Sequence, residues 1–309
     1  MRLLVIGTII NDRIYHRDGS ISYSLGGLLY TLLPFRALLD KGDRVIPLCR
    51  VGRDIYNAVV DWLTADRICD TVALLKTEQK NNTVELRYLS EQEREERSCY
   101  PLPSLRFHEV KPFLDVDAVF VNMISGWELD LDVLRHIRKA FKGLIFLDIH
   151  SLALERKSDG RRIYRNISDG IEWLRNADVI QLNRNEWQVL AGDMVPELFI
   201  KECCFNQHKI INLLLSSEGS KTYLWDKGSI RSFATAPYRE IEVVDPTGCG
   251  DAYLAGFGVE YLRSANATKA AETANLCATL MGSFKGLPDS RQYVLKYRMY
   301  NKEVEWKKL

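Results

Sequence analysis

The chain has 309 residues, 46% hydrophobic and 27% charged, an ordinary globular composition that fits one large α/β domain or two smaller ones. Basic residues number 42 against 41 acidic ones, a net charge of +1, so neither a nucleic-acid nor a membrane surface is expected among its partners. The seven cysteines (Cys49, Cys69, Cys99, Cys203, Cys204, Cys249 and Cys277) form no Cys-x-x-Cys pair, which argues against a zinc site or disulfide framework and for a reducing, cytoplasmic setting.

The first apolar run, residues 3–6, is too short for a signal peptide and reads as a strand. No run approaches the length of a membrane span. Residues 12–25 are polar and strand-like, with a turn at Asp18-Gly19, and Gly26-Gly27 then opens a helix over 27–40. Strands at 45–51 and 72–75 flank a helix over 55–65. Residues 83–100 read as a hairpin whose charged run, 91–97, is a solvated turn. Strands at 118–121 and 144–149 flank a helix over 131–141. A strand at 179–182, helices at 186–191 and 197–204, and strands at 210–215 and 222–225 follow. Val243-Val244 ends a further strand, and helices at 252–263 and 269–284 complete the pattern.

Near-continuous apolar strands alternating with amphipathic helices predict a mostly parallel sheet covered on both faces, with ligands at the carboxyl ends of its strands. The segments 12–25 and 83–100 break the alternation and are expected to form a small sheet standing off the main body. The whole of 1–309 is read as a single domain. Trp62, Trp173 and Trp225 are expected in cores.

The most informative stretch is Asp245-Pro246-Thr247-Gly248-Cys249-Gly250-Asp251-Ala252, a tight turn that opens an apolar helix. The first turn of a helix carries N–H groups without intrahelical partners, and the dipole adds positive charge there. Gly248 and Gly250 let an oxyanion approach the backbone closely, and Asp251 stands where it could accept a proton from an attacking hydroxyl. The plain alternative is a strand-turn-helix with Asp251 as a cap. A dinucleotide fingerprint is excluded because Tyr253 occupies its third glycine position, and no Gly-Lys-Ser/Thr marks a P-loop. Asn183-Arg184-Asn185-Glu186 follows the strand at 179–182, which delivers two oxygen donors to the ligand edge; Asn183 as a simple helix cap is the alternative.

These motifs resemble the PfkB/ribokinase family of small-molecule kinases, whose usual signature is Asp-Thr-x-Gly-Ala-Gly-Asp. The resemblance runs from Asp12 to Gly286. It implies a ribokinase-like α/β fold, a three-layer sandwich with a mostly parallel central sheet flanked by helices and a small β-sheet lid formed by about 12–25 and 83–100. Carried over, Asp251 is the catalytic base, and the amides of Gly248, Cys249 and Gly250 form the anion hole. Pro246 and Cys249 depart from the usual Thr and Ala. Asn183 and Glu186 match the family's Asn-x-x-Glu and are expected to position Mg²⁺ through water beside ATP. Asp245 corresponds to the aspartate that helps hold a monovalent cation, K⁺, in some members.

On the acceptor side the resemblance assigns Gly26 and Gly27 to substrate approach and Asp12, aided by Asn11, to substrate hydroxyls. Ile10 replaces the family's first sugar-gripping Asn, and Thr31 stands where an Asn commonly touches the sugar. On the nucleotide side it assigns Ser216, Glu218 and Gly219 to a turn near the phosphates, with Ser216 replacing a glycine, and Asn275 and Gly286 to the adenine end. Asp148 and His150 resemble the start of Asp-x-Asn-x-Arg; His150 itself reads as a polar strand-end residue, and Arg161 and Arg162, which could approach a phosphate, read rather as exposed loop arginines.

The implied function is ATP-dependent phosphorylation of a hydroxyl on a sugar or related polyol. A nucleoside kinase, with Ile10, Leu28 and Tyr30 as a base slot, is one alternative, and a catalytically silent binding protein is another. Pairing of two copies through the lid is a further expectation from the family.

Overall fold

Apolar, β-branched runs build one large sheet, and the polar segments beside them build a second, separate one. The computed structural model describes residues 1–15, 19–65, 68–88, 94–167, 169–204, 208–226 and 228–307. The strands are β1 (Arg2–Ile6), β2 (Ile9–Tyr15), β3 (Ile21–Gly27), β4 (Arg44–Gly52), β5 (Leu74–Thr77), β6 (Thr83–Tyr88), β7 (Arg94–Cys99), β8 (Ala118–Asn122), β9 (Leu144–Asp148), β10 (Leu154–Arg156), β11 (Arg162–Tyr164), β12 (Val179–Asn183), β13 (Lys209–Leu214), β14 (Ser220–Asp226) and β15 (Ser229–Thr235). The α-helices are α1 (Leu28–Leu38), α2 (Tyr56–Thr64), α3 (Phe107–Val110), α4 (Leu131–Ala140), α5 (Gly170–Arg175), α6 (Arg184–Ala191), α7 (Pro196–Cys204), α8 (Cys249–Ser264), α9 (Ala267–Gly282) and α10 (Ser290–Lys307).

The large sheet runs β15-β14-β13-β12-β9-β8-β1-β4-β5. From β5 to β13 every neighbouring pair is parallel, and β14 and β15 extend that edge antiparallel. Strands buried on both faces must be apolar throughout, which is why β1 and β8 read as unbroken hydrophobic runs. One face packs on α1, α8 and α9, centred on Phe120, stacked on Phe146 at 4.5 Å and edge-on to Phe35 at 5.5 Å. Truncating such a ring to Ala costs about 3–5 kcal/mol. The other face packs Val121, Leu147 and Ile211 against Leu134, Ile137, Trp173 and Phe199.

Helix α8 is buried without a break from Asp251 to Val259, which is why that stretch is apolar after its first residue. A Cβ on Gly258 would fall 2.2 Å from the Phe120 ring, and one on Gly256 would fall 2.8 Å from Ala274 Cα of α9. Both glycines set how deeply α8 sinks, and hence where its first turn meets the sheet edge.

The second sheet, ordered β3-β2-β6-β7, answers the expectation for 12–25 and 83–100, although β2 begins at Ile9. Asp18 and residues 91–93 of the expected turns lie outside the described residues; Arg94–Cys99 form a strand rather than a turn. The hairpin of β10 and β11 docks on β7: Ser98 N donates to Gly160 O (2.8 Å), Arg156 Nε donates to Ser98 O (2.7 Å), and Arg97 bridges Arg161.

Some elements differ from the sequence reading. Residues 71–73 form a 3₁₀ turn before β5. Val243 and Val244 are half-exposed and belong to no strand. No ladder reaches them, and the N–H groups of Val244 and Asp245 go instead to Gly282 O, a carbonyl at the end of α9 (2.8 and 3.0 Å). Trp173 and Trp225 are core residues, while Trp62 is partly buried beneath the Arg36 guanidinium, 3.7 Å from its ring centre. Among the described residues no helix is long and apolar enough to cross a membrane.

Candidate active site

The first turn of α8 meets the carboxyl ends of β8, β9 and β12. Gly248, the N-cap, has φ +79°, and a Cβ there would fall 2.2 Å from the Tyr30 ring. Glycine is therefore obligatory at 248 for conformation and space. Gly250 differs: its Cβ would meet only Leu214 at 3.5 Å and Gln181 at 3.8 Å. Packing does not demand that glycine, and its missing side chain leaves backbone open to an approaching anion. Of the three expected amides, that of Cys249 donates to Pro246 O at 3.2 Å and closes the turn. The Cys249 thiol is pushed up to about 12 by burial and by Asp245 and Asp251, so it is an inert filler.

Asp251 is buried one residue further on. Its Oδ1 accepts from Asn122 Nδ2 at 2.7 Å and from Thr31 Oγ1 at 3.4 Å, and Asn122 Nδ2 also donates to Thr31 Oγ1 at 2.8 Å. Burial pushes the carboxyl up to about 6, against the lowering effect of the Asn122 and Thr31 hydrogen bonds. A base tuned to that range suits proton abstraction near neutrality. Asn122 was not anticipated; its only signal is a polar residue ending an apolar strand. Thr31, expected at the acceptor, is fully buried and turned toward Asp251, because α1 packs directly on α8.

Two further carboxylates converge here. Asp148, the register partner of Asn122, is held well above its usual range by burial and by the charges of Glu186 and Asp251. Glu186 is pushed up to about 7, first by burial, with the Asp251 charge adding to it. Gln181 Nε2 ties the group together, donating to Asp148 Oδ2 (2.8 Å) and to Gly250 O (2.9 Å). Asn183 caps α6 in a reciprocal box: its Oδ1 accepts from Asn185 N and Glu186 N, while its own N and Nδ2 donate to Glu186 (2.8 and 2.6 Å). The cap reading and the positioning reading of Asn183 thus describe one geometry.

Among the described residues no group of three His, Cys, Asp or Glu could hold a metal directly. The donor set nevertheless fits a hydrated Mg²⁺. It comprises carboxylates raised first by burial and then by neighbouring carboxylate charge, plus the buried Asn122 Oδ1 and Gln181 Oε1, which lack partners among the described residues.

At the acceptor end, a Cβ on Gly26 would fall 2.3 Å from Asp12 Oδ2, so that glycine lets the carboxylate lie against the α1 entry. Gly27 (φ +61°) sits over Thr8 O and Ile10, and Asn11 N donates to Asn82 O (3.0 Å). Asp12, Asp245 and Asp251 all act on the Tyr30 hydroxyl, whose ionisation is raised first by burial and then by their charges. Tyr30 therefore stands between the acceptor residues and the base. Ile10, Leu28 and Tyr30 are each under 5% exposed and belong to the core, so they do not line an open base slot.

At the nucleotide end, Ser216 (φ +57°), Glu218 and Gly219 (φ +90°) form a tight turn, with Leu215 N donating to Gly219 O (2.8 Å). Glu218 pairs with Arg184 at 2.6 Å in solvent. Asp245 clamps two loops, accepting from Thr247 N and from Gly286 N, both at 2.9 Å. Asn275 is 4% exposed, and its Nδ2 donates to Ser220 Oγ (3.0 Å) and Ala271 O (2.9 Å). Arg161 is exposed and paired with Asp159, but Arg162 is drawn inward, with Nη2 donating to Ser125 O at 2.6 Å. His150 (φ +38°) hydrogen-bonds Ser151 Oγ (2.8 Å) and is held neutral, pushed down to about 4 by burial and then by Arg162.

Residues 159–289 match the family model described as pfkB family carbohydrate kinase. The resemblance to the PfkB/ribokinase family is borne out. The PfkB match includes Asn183, Glu186, Asp245 and the Gly248–Asp251 turn, and stops short of Asp12, Gly26 and Gly27. An uncharacterized sugar kinase of Archaeoglobus fulgidus is 29% identical over 130 residues, covering 41% of this chain and 50% of that protein. The match thus spans half of that curated relative's length. The ribokinase-like fold is shared with a pyrophosphate-dependent kinase in the ribokinase family (TM-score 0.75, 17% identity, 96% of this chain and 100% of that one). It is shared also with ribokinase from Giardia lamblia (0.74, 15%, 97% and 98%) and adenosine kinase from Schistosoma mansoni (0.74, 12%, 94% and 98%).

Proposed function

We propose that the chain is a kinase that transfers the γ-phosphoryl group of ATP to a hydroxyl of a sugar or related polyol. The observation that carries this reading is Asp251: a buried carboxylate at the mouth of α8, held by Asn122 and Thr31 beside a turn whose glycine backbone is open to an anion. Asp251 takes the proton of the attacking hydroxyl, and Asn122 and Thr31 fix its Oδ1. Gly250 lets the phosphoryl oxygens close on the backbone, and Gln181 holds that turn to the sheet. Asp12 accepts hydrogen bonds from the acceptor's hydroxyls. Mg²⁺, when bound through water by Glu186 and Asn183, supplies charge neutralisation for the phosphates. Positioning and electrostatics carry the rate in such transfers, since little covalent chemistry falls to the protein.

The test is ADP release from Mg²⁺-ATP over a panel of sugars, sugar phosphates, polyols and nucleosides, with Asp251→Asn as control. Turnover on one acceptor, lowered by at least about a hundredfold in the variant, supports the reading. Equal turnover by the variant overturns the base assignment.

One observation favours a second donor, pyrophosphate. Asn275, the residue expected at the adenine, is committed to Ser220 and Ala271. Pyrophosphate needs the anion-binding turn but no base pocket. Replacing ATP by pyrophosphate, and reading phosphorylated acceptor in place of ADP, separates the two donors.

A further inference from the structure

The hairpin of β10 and β11 carries two arginines that the phosphoryl-transfer reading leaves unused. Arg156 and Arg162 are direct partners in its antiparallel register, so both side chains leave the same face. Like charges in that position repel. Arg162 is held below its ordinary range, first by burial and also by the Arg156 charge, while Glu96 and Glu128 pull the other way. Among the described residues neither arginine forms an ion pair, and Arg162 Nε is buried without a partner. Arg162 Nη2 reaches only carbonyls, Ser125 O at 2.6 Å and Ser151 O at 3.4 Å, and the guanidinium lies 5.4 Å from the Trp127 ring centre. A part-buried pair of arginines with no direct ion pair, one of them with an unpartnered Nε, suits an anionic ligand.

The pair also lies at the acceptor end. Ser125, which holds Arg162, is 3.3 Å from Thr8 through their hydroxyls, and Thr8 O accepts Leu28 N at 2.9 Å, directly after Gly27. On the other side Arg156 bonds Ser98 O of β7, so the second sheet, the hairpin and the acceptor floor meet at these arginines. Burial holds both Arg162 and the neighbouring His150 below their ordinary ranges, with smaller contributions from the Arg156 and Arg162 charges respectively.

We propose that Arg156 and Arg162 bind an anionic group on the acceptor, so that the chain phosphorylates a sugar or polyol already carrying a phosphate or a carboxylate. The role as acceptor site rests on the kinase reading above; anion binding by the two arginines does not. Guanidinium forks match both anions bidentately, and Asp12 at the Gly26 end would hold the acceptor's hydroxyls.

Calorimetric titration of the full chain without donor tests this apart from catalysis. The probes are fructose 6-phosphate, ribose 5-phosphate, gluconate and glucuronate, set against fructose, ribose, myo-inositol and inorganic phosphate. At least one anionic sugar is expected to bind about tenfold or more tighter than its neutral counterpart, and Arg156→Gln and Arg162→Gln are each expected to weaken it by about tenfold or more. Which anion binds distinguishes a phosphate-bearing from a carboxylate-bearing acceptor. Thermal unfolding checks that the variants fold, and Arg162→Lys, which keeps charge but loses the fork, is expected to fall between. Equal binding of neutral sugars, inorganic phosphate binding as tightly as the phosphorylated sugars, no anionic sugar binding, or binding that survives both Gln variants would each overturn the proposal. Turnover measured alongside separates the two readings: anion-selective binding without Asp251-dependent turnover on any probe removes the kinase reading and leaves the anion site standing.

Discussion

Replacing Asp251 by Asn should abolish turnover and yet make the protein more stable, and the gain should depend on pH. The Asp251 carboxyl is raised from 3.8 to about 6, with burial as the main cause. An acid whose pKa is higher in the folded state is stabilised there in its protonated form. That advantage is complete below pH 4 and is lost as pH rises through about 6. Above that, the folded chain carries a penalty near 2 pK units, or about 3 kcal/mol at 1.36 kcal/mol per unit. Asparagine removes the ionisation, and its amide oxygen can still accept from Asn122 Nδ2. Asp148 and Glu186 both feel the Asp251 charge, so their own penalties should fall as well. Chemical denaturation at pH 8 should show a gain of about 3 kcal/mol, falling to about half of that at pH 5. A loss of stability at pH 8, or a gain equal at both pH values, would show that burial does not dominate at this carboxylate, and the argument for a tuned base would fail.

Asn122→Leu removes the 2.7 Å donor to Asp251. A hydrogen bond to a charged group contributes about 1.5–3 kcal/mol, so the acidic limb of turnover against pH should move up by about 1–2 units from its position near 6; an unmoved limb refutes the positioning role. Gly248→Ala forces a side chain to φ +79° and into the Tyr30 ring, and denaturation should show a loss of about 2–5 kcal/mol. Gly250→Ala meets only ordinary contacts, so its stability should stay within about 1 kcal/mol of wild type while turnover falls; retained turnover would remove Gly250 from the anion site. Glu186→Gln keeps a capping oxygen for Asn183 but loses the charge, so the Mg²⁺ needed for half-maximal turnover should rise by about tenfold, and an unchanged requirement would clear Glu186 of that role.

What the sequence reveals tracks how local the determining contact is. Strands β1, β8 and β9 are legible because burial on both faces leaves an unbroken apolar run. β15 is not, since Ser, Arg and Thr alternate along an exposed edge. α10 hides for a related reason: Tyr293 and Tyr297 are buried, while Leu295 and Met299 are exposed. Asp251 can be found from eight neighbouring residues, but its hydrogen-bond donor Asn122 is 129 positions away. Thr31 and Asn275 carry contacts that their place in a motif does not reveal. Each occupies a family motif place, and each spends its side chain on the protein itself, on Asp251 and on Ser220 respectively.

The hairpin on β7 also has a consequence for assembly. β7 ends the second sheet, and an uncovered strand edge is a template for another chain's backbone. Here Gly160 and Arg156 occupy that edge at Ser98, so the ladder is terminated from within the same molecule. Among the described residues the sheet can be extended only from β3. Two copies joined by a continuous ladder would have to meet β3 to β3, around a twofold axis, and could not propagate beyond a pair. The second sheet thus carries a built-in stop against open-ended, strand-by-strand growth.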